Sequence, residues 1–330
     1  MTAPLAILAD IGGTNTRVAL ARGRGVVVSS IRRFANAEVC GLEQILVRYL
    51  ADAGIAAVDG ACVAVAGPVR DGVAEMTNLS WIIDNAQLGR ATGAARVAIL
   101  NDLQAQGQAL GQIADKDLKV LLAGPKKPGA PMLVVGLGTG MNAAPVHDTP
   151  WGRVVAASEC GHVSMPVQTA QDFRLAQFLM HEAPGAHGFA GVEEAIAGRG
   201  IGHIHAFITK EAGKMVEKPT AEVMADLARG DDLARRTATL YIHIMGHNLG
   251  NLALTHLPFG GIYLIGGVAR AMAPYLQDMG FAKAFRDKGR FTAFMENFCI
   301  TLVEDDFAAL TGCAAYLANG DRGPSGSSLD

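Results

Sequence analysis

At 330 residues, with half of them apolar, 18% charged and a formal net charge of -3, the chain can bury the cores of two lobes, which excludes a disordered or fibrous polymer. The near balance of charge gives no electrostatic footprint for nucleic acid. Five scattered cysteines (Cys40, Cys62, Cys160, Cys299, Cys313) form no C-x-x-C pair, which fits a reducing cytosol and excludes a disulfide framework and a thiolate zinc site.

No basic-then-apolar leader opens the chain, so no signal peptide is expected. Leu5 to Ala9 is a buried strand. Asp10-Ile11-Gly12-Gly13-Thr14-Asn15 then turns it into a hairpin partner marked by alternating Thr16, Val18 and Leu20. Lacking Cβ atoms, Gly12 and Gly13 let backbone N–H groups approach a ligand, and Thr14 and Asn15 add side-chain donors, which makes a phosphate cradle. Asp10, at the strand end, puts a carboxylate beside those phosphates, as suits a Mg²⁺ ion travelling with them. Leu42, Ile45, Leu46, Tyr49 and Leu50 recur at helical spacing, Ala61 to Ala66 is a short buried strand, and Gly67-Pro68 forces a turn. Met76 to Ile83 reads as a strand, with Asp84 as N-cap of the helix after it. Arg96 to Leu100 is a strand that ends in Asn101-Asp102, at the carboxyl end where α/β sheets place ligands.

Lys, Gly and Pro from Gly124 to Pro131 predict a connection between lobes. Met132 to Val135 then repeats the opening, a strand, a glycine turn (Gly136-Leu137-Gly138-Thr139-Gly140-Met141-Asn142) and a second strand. Two such units about 125 residues apart predict two similar lobes facing one nucleotide; two unrelated hairpins are the bland alternative. Arg153 to Ala157 is a strand that delivers Ser158-Glu159-Cys160-Gly161-His162. Gln171 to Arg229 is mostly helical, and Asp231 to about Leu257 forms one long buried helix. Tyr241 to Ala269 holds no Asp, Glu, Lys or Arg, but its histidines, asparagines, Pro258 and glycine pair make it a buried helix and strand rather than a membrane span. Gly261 to Ile265 is a strand, and Gly266-Gly267 at its end can admit a flat ring or a ribose close to backbone, before a helix near Ala269. Cys299 to Val303 is the last strand and Phe307 to Ala318 the last helix, with Asn319 to Asp330 expected as a disordered Gly/Ser-rich tail. Residues 1–112 are expected as a small α/β lobe joined by the helix at 306–318, and residues 113–305 as a large α/β lobe.

These segments resemble a family. Asp10-Ile-Gly-Gly-Thr-Asn, Leu100-Asn-Asp, Gly136-Leu-Gly-Thr-Gly, Glu159-Cys-Gly-His162 and Gly266-Gly267 are similar, in order, to the motifs of bacterial ATP-dependent glucokinases. Met76-Thr-Asn-Leu-Ser-Trp81 and Phe285-Arg-Asp-Lys-Gly-Arg-Phe291 fit the same pattern. The sister (ROK) family that joins sugar kinases with repressors is disfavoured, because its cysteine-rich zinc motif is absent and no helix-turn-helix precedes Leu5. The resemblance implies an actin-like ATPase (ribonuclease H-like) fold, two lobes with the active site in the cleft between them. It implies transfer of the γ-phosphoryl of ATP to the 6-hydroxyl of glucose, in a cytoplasmic glycolytic homodimer with Mg²⁺ and no nucleic acid or membrane partner. Asn101 matches a sugar-binding asparagine and Asp102 the catalytic aspartate that also contacts the sugar. Glu159, His162 and Glu193 match further sugar ligands, and Asn78 is expected near the same sugar. The turns at Gly12, Gly13, Thr14, Asn15 and at Gly138, Thr139, Gly140 match the phosphate loops, Gly266-Gly267 the adenosine segment, and Asp10 the carboxylate facing Mg-ATP. Asn142, Ser158 and Cys160 stand where glycines are usual, Ala197 where a serine is, and the segment after Asp102 is unusually rich in glutamine.

The residue types suit the chemistry. Phosphoryl transfer needs an in-line acceptor hydroxyl, neutralised charge and a base, and Asp102 with an ordinary carboxylate pKa of about 3.9 would be ionised at neutral pH. A hexose presents hydroxyls that donate and accept, which carboxylates, an amide and an imidazole can match. Structural alternatives stand beside these roles: a helix N-cap for Asp102, a solvated carboxylate for Glu193, a satisfied core histidine for His162. Asp172 and Glu182 read as surface charges, His203 and His205 as helix surface, and His243 and His247 as core rather than a metal pair. Another hexose or amino sugar as acceptor, an actin-like ATPase without sugar, and a sugar-binding regulator remain the alternatives.

Overall fold

The computed structural model describes residues 3–76 and 79–319. They divide into two compact units, the first from the described residues of Met1–Asp115, Val146–Ala157 and Asp305–Asp330, the second from Lys116–Pro145 and Ser158–Glu304.

In the first unit β1 (Leu5–Ile11) pairs antiparallel with β2 (Asn15–Arg22), and β3 (Gly25–Val26) and β4 (Arg32–Ala35) pair with β2 in turn. Then follow α1 (Leu42–Asp52), β5 (Gly60–Val65), the short β6 (Val69–Arg70), β7 (Val73–Glu75) and β8 (Ile82–Asp84), α2 (Asn85–Thr92), β9 (Arg96–Asn101) and α3 (Asp102–Ala109). The sheet runs β3-β2-β1-β5-β9, with β1, β5 and β9 parallel. Every residue of β5 is buried, as a parallel strand covered on both faces must be. Alternation along β1 explains the two layers. Ile7, Ala9 and Ile11 face α1, which buries its predicted Leu42, Ile45, Leu46, Tyr49 and Leu50. Ala6 and Leu8 join Cys62, Ala64 and Leu100 on the opposite face.

The second unit opens on β10 (Leu118–Leu122), β11 (Met132–Leu137) and β12 (Met141–Thr149). The C-terminal half of β12 and β13 (Gly152–Val155), paired from Val146 to Val155, belong to the first unit. Helices α4 (Ala170–His181), α5 (Val192–Ile196), α6 (Gly198–Glu211), α7 (Thr220–Ala228) and α8 (Asp232–His256) lead to β14 (Gly261–Ile265), α9 (Gly267–Met272), α10 (Phe281–Arg286) and β15 (Ile300–Val303). The strand order β13-β12-β11-β14-β15 repeats that of the first sheet, a hairpin to which two parallel strands are added, with β10 at the far edge. The duplication expected from the two glycine turns is therefore present. The chain returns to the first unit as α11 (Ala308–Asn319), whose Leu310, Cys313, Ala314 and Leu317 cover the small-residue face of the first sheet. No helix among the described residues is long and apolar enough to cross a membrane.

Several expectations are corrected. Of the strand expected over Met76–Ile83, the described residues show strand only from Ile82, in β8, because Asp71 and Gly72 turn β6 into β7 and it is β7 that pairs with Ile82–Asp84. Gly124–Pro131 links β10 to β11 inside the second unit; the change of unit comes earlier, after Asp115, and the β10 run was unforeseen. Residues 146–157, expected in the large lobe, pack with the first unit, where Gly107 of α3 lets Val146 and Val155 approach to a distance no Cβ would allow. Asn319 is helical, and the rest of the expected tail, Gly320 to Asp330, lies outside the described residues.

Candidate active site

The first glycine turn is held from within. Gly12 N–H donates to the Asn15 carbonyl at 3.0 Å, so that donor serves the turn, while Gly13 and Thr14 are exposed. A residue that sequence reasoning missed holds the loop: buried Asn36 donates from Nδ2 to the Gly12 carbonyl at 2.8 Å, accepts from Thr16 Oγ1 at 2.8 Å, and its N–H meets the Thr14 carbonyl at 2.9 Å. Only its distant position in the sequence hid it. Asp10 lies 3.4 Å from the Arg17 guanidinium across the hairpin, yet burial outweighs that attraction and its carboxyl stays above the usual range.

Asn101, and not Asp102, is the N-cap of α3. Its Oδ1 accepts from Leu103 N at 3.0 Å and Gln104 returns a bond to its backbone N–H at 3.1 Å, a capping box. Asn101 Nδ2 donates to the Gly67 carbonyl at 3.0 Å, which leaves its second amide hydrogen for a ligand. Asp102 is the first helical residue and also accepts from Leu103 N, at 2.8 Å. Burial pushes its carboxyl up to about 6; the Leu103 N–H opposes that rise and the Asp10 charge adds to it. The ordinary carboxylate pKa expected from sequence is thus corrected. Two of the three glutamines after Asp102 are structural: Gln104 Nε2 and Gln108 Nε2 donate to the carbonyls of Val155 and Arg153, both at 3.2 Å, and tie α3 to β13.

In the second unit, Gly138 N–H meets the Gly140 carbonyl at 3.0 Å, and the Gly138 carbonyl accepts from Gly198 N at 2.8 Å. The start of α6 is therefore fastened to the second turn, with Thr139 exposed. A Cβ on Gly198 would lie 3.6 Å from Val268, so the Gly266-Gly267 segment joins the same corner. Gly266 has φ of +111° and a Cβ there would fall 2.2 Å from the Leu137 carbonyl, whereas Gly267 faces open space. Of the pair, Gly267 is the one that can admit a ribose or ring.

Glu193 is no solvated helix carboxylate. Its Oε2 accepts from Met141 N at 3.0 Å, its Oε1 from Arg199 at 2.7 Å, and Glu194 shares the same guanidinium at 2.8 Å. Arg199, six residues after Glu193, is the member of this group that sequence reasoning missed; its guanidinium is held charged by the pair, and the Glu194 carboxyl is held down chiefly by Arg199. Ala197 is fully buried between α5 and α6, where no hydroxyl is needed. His162 and Glu159 are exposed, which excludes a core role for that histidine. Glu159 Oε2 lies 3.5 Å from Asn142 Nδ2. Asn78 lies outside the described residues.

Asp172, His203 and His205, expected at the surface, are buried. Asp172 is fully buried in the first turn of α4, where it closes the capping box of the N-cap Thr169, accepting from Gln168 N at 2.9 Å and Thr169 N at 2.8 Å, with His243 Nε2 at 3.3 Å. His203 and His205 are buried, placed against the Glu194 carbonyl at 3.0 Å and Thr237 Oγ1 at 3.3 Å. His247 is buried as expected, and its ring sits edge-on to His243 at 4.4 Å. Glu182 is on the surface, paired with Lys210.

Two glycine turns at equivalent places in a duplicated sheet, with Asp10 at the end of β1 beside the first and Asn101 at the end of β9 in the same sheet, are those of a phosphotransferase on the actin-like ATPase fold. The Glucokinase family model matches residues 7–320. A glucokinase of Tolumonas auensis is 30% identical over 94% of this chain and 96% of its own. The structure of a glucokinase from an Antarctic psychrotroph superposes with a TM-score of 0.86 at 28% identity, covering 96% of this chain and 99% of that one. A ROK family glucokinase from Streptomyces griseus, solved with glucose and AMPPNP, shares the fold at a TM-score of 0.61 and 18% identity, over 95% and 98% of the two chains. The chain belongs to the glucokinase family, whose members are ATP-dependent hexose kinases.

Proposed function

We propose that the protein transfers the γ-phosphoryl of ATP to the 6-hydroxyl of glucose, with Asp102 as general base. The observation that carries this reading is the place of Asp102, the first residue of α3 directly after the Asn101 cap at the carboxyl end of β9, where burial raises its carboxyl to about 6. A base whose pKa lies near the working pH is ionised at neutrality and still accepts a proton as the O–P bond forms. Asn101, whose cap aims Asp102, together with Glu159, His162 and Glu193, would bind the sugar hydroxyls, and a sugar that lacks one of them would leave a polar group unpaired. The turns at Gly12–Asn15 and Gly138–Gly140 would take the phosphates, and Gly267 the adenosine. The glucose and AMPPNP in the Streptomyces griseus structure support both ligands.

Mg²⁺ suits the donors present. Asp10, at the end of β1 beside the first glycine turn, is an oxygen donor of the kind Mg²⁺ takes together with phosphates and water. When bound, the ion would neutralise phosphate charge. A cytoplasmic location is supported by the five free thiols, and a glycolytic role and a homodimer by the family resemblance.

A coupled ADP-release assay with Mg·ATP against glucose, mannose, fructose, galactose, N-acetylglucosamine and no sugar tests the reading. Release that depends on glucose supports it. Release without sugar, or only with another acceptor, contradicts it.

A further inference from the structure

The three residues that stand in place of glycines, Asn142, Ser158 and Cys160, meet one another in the second unit. Asn142 Oδ1 faces Ser158 Oγ at 3.0 Å, Cys160 N at 3.2 Å and Cys160 Sγ at 3.4 Å. Its Nδ2 donates to the Ser158 carbonyl and reaches Glu159 Oε2 at 3.5 Å. The Ser158 hydroxyl also reaches the Ala143 carbonyl. Burial raises the Cys160 thiol pKa, which keeps it in the S–H form that can donate to Asn142. With glycine at all three positions the loop that carries Glu159 would have no side-chain tether to β12; with these residues, one amide spans the loop on both sides of Glu159.

We propose that Asn142 is a positioning residue for Glu159, fixing the loop at 158–160 and one carboxylate oxygen so that the other oxygen meets a sugar hydroxyl. This rests on the reading of Glu159 as a sugar ligand. The tether orders a flexible side chain before the sugar arrives, so its effect falls on glucose affinity. The phosphoryl step depends on Asp102 and is not touched by it.

Steady-state kinetics on wild type, Asn142→Ala, Glu159→Ala and the double variant test this, with thermal melting and the KM for ATP as checks of folding. Asn142→Ala is expected to raise the glucose KM about tenfold, with kcat within about threefold and the ATP KM unchanged. In the Glu159→Ala background the same substitution is expected to add nothing further, because it acts through Glu159. An unchanged glucose KM in Asn142→Ala, or an equal rise in both backgrounds, overturns the proposal. A Glu159→Ala variant with wild-type glucose KM overturns the sugar-ligand reading beneath it instead. Should Asn142→Ala fail to fold, Asn142→Asp keeps the shape but sets a carboxylate against Glu159; its glucose KM should rise at least as much, and a wild-type glucose KM overturns the proposal.

Discussion

Asp10 and Asp102 stand at the carboxyl ends of two parallel strands of one sheet, separated by β5, and Ala64 of β5 is the register partner of both Asp10 and Leu100. The Asp10 charge adds to the burial that raises the Asp102 carboxyl to about 6. If Asp102 is the base, its ionised form carries turnover, so kcat/KM for glucose should rise about tenfold per pH unit below 6 and level off above it. An acid limb centred near 4 would remove Asp102 from that role. In Asp10→Asn the limb should move to lower pH.

The same shift predicts a stability change of opposite benefit. Because the folded pKa lies above the unfolded value of 3.8, the fold favours protonated Asp102; stability is lost as pH rises from about 4 to 6, and the full cost stands above 6. Asp102→Asn should therefore stabilise the protein at pH 8 by up to about 3 kcal/mol, and by little at pH 4. Urea midpoints at the two pH values measure it, and an equal or negative change at pH 8 contradicts it.

Asn36 links Gly12, Thr14 and Thr16 from a buried position. Asn36→Ala should cost about 1–3 kcal/mol, the range for leaving buried partners unpaired, and should raise the ATP KM more than the glucose KM. Denaturant melts, and kinetics in which ATP and glucose are varied in turn, check both parts.

Burial pushes the Asp172 carboxyl up, but the His243 ring and the N–H groups of Gln168 and Thr169 outweigh it, so its pKa is lowered. A lowered carboxylate contributes stability above its unfolded pKa of 3.8 that is lost as pH falls below it. Asp172→Ala should destabilise by about 1–3 kcal/mol at pH 7, and by less at pH 3, with kcat unchanged. Thermal melting at both pH values decides it.

Elements with a strong local signal were legible in the sequence. Strand β14 is placed at Gly261–Ile265 and α8 begins after the Asp231 cap, because an apolar run and a side chain one residue from the helix are local facts. The glycine turns were equally plain. Partner-dependent facts were hidden: Asp172 looks like any helix carboxylate until α8 brings His243 to it, and His203 and His205 sit on a helix face that only tertiary packing buries. The charge state of Asp102 depends on burial, and the tie of Asn142 to Glu159 spans 17 residues, so neither has a one-dimensional signature.

The most direct measurement is glucose 6-phosphate formation by wild type and Asp102→Asn at pH 8, with saturating Mg·ATP and glucose and nucleotide binding checked separately. The account predicts that wild type makes the product and that the variant binds ATP normally, while kcat falls by about 10²-fold or more. Turnover by Asp102→Asn within a few-fold of wild type would contradict it.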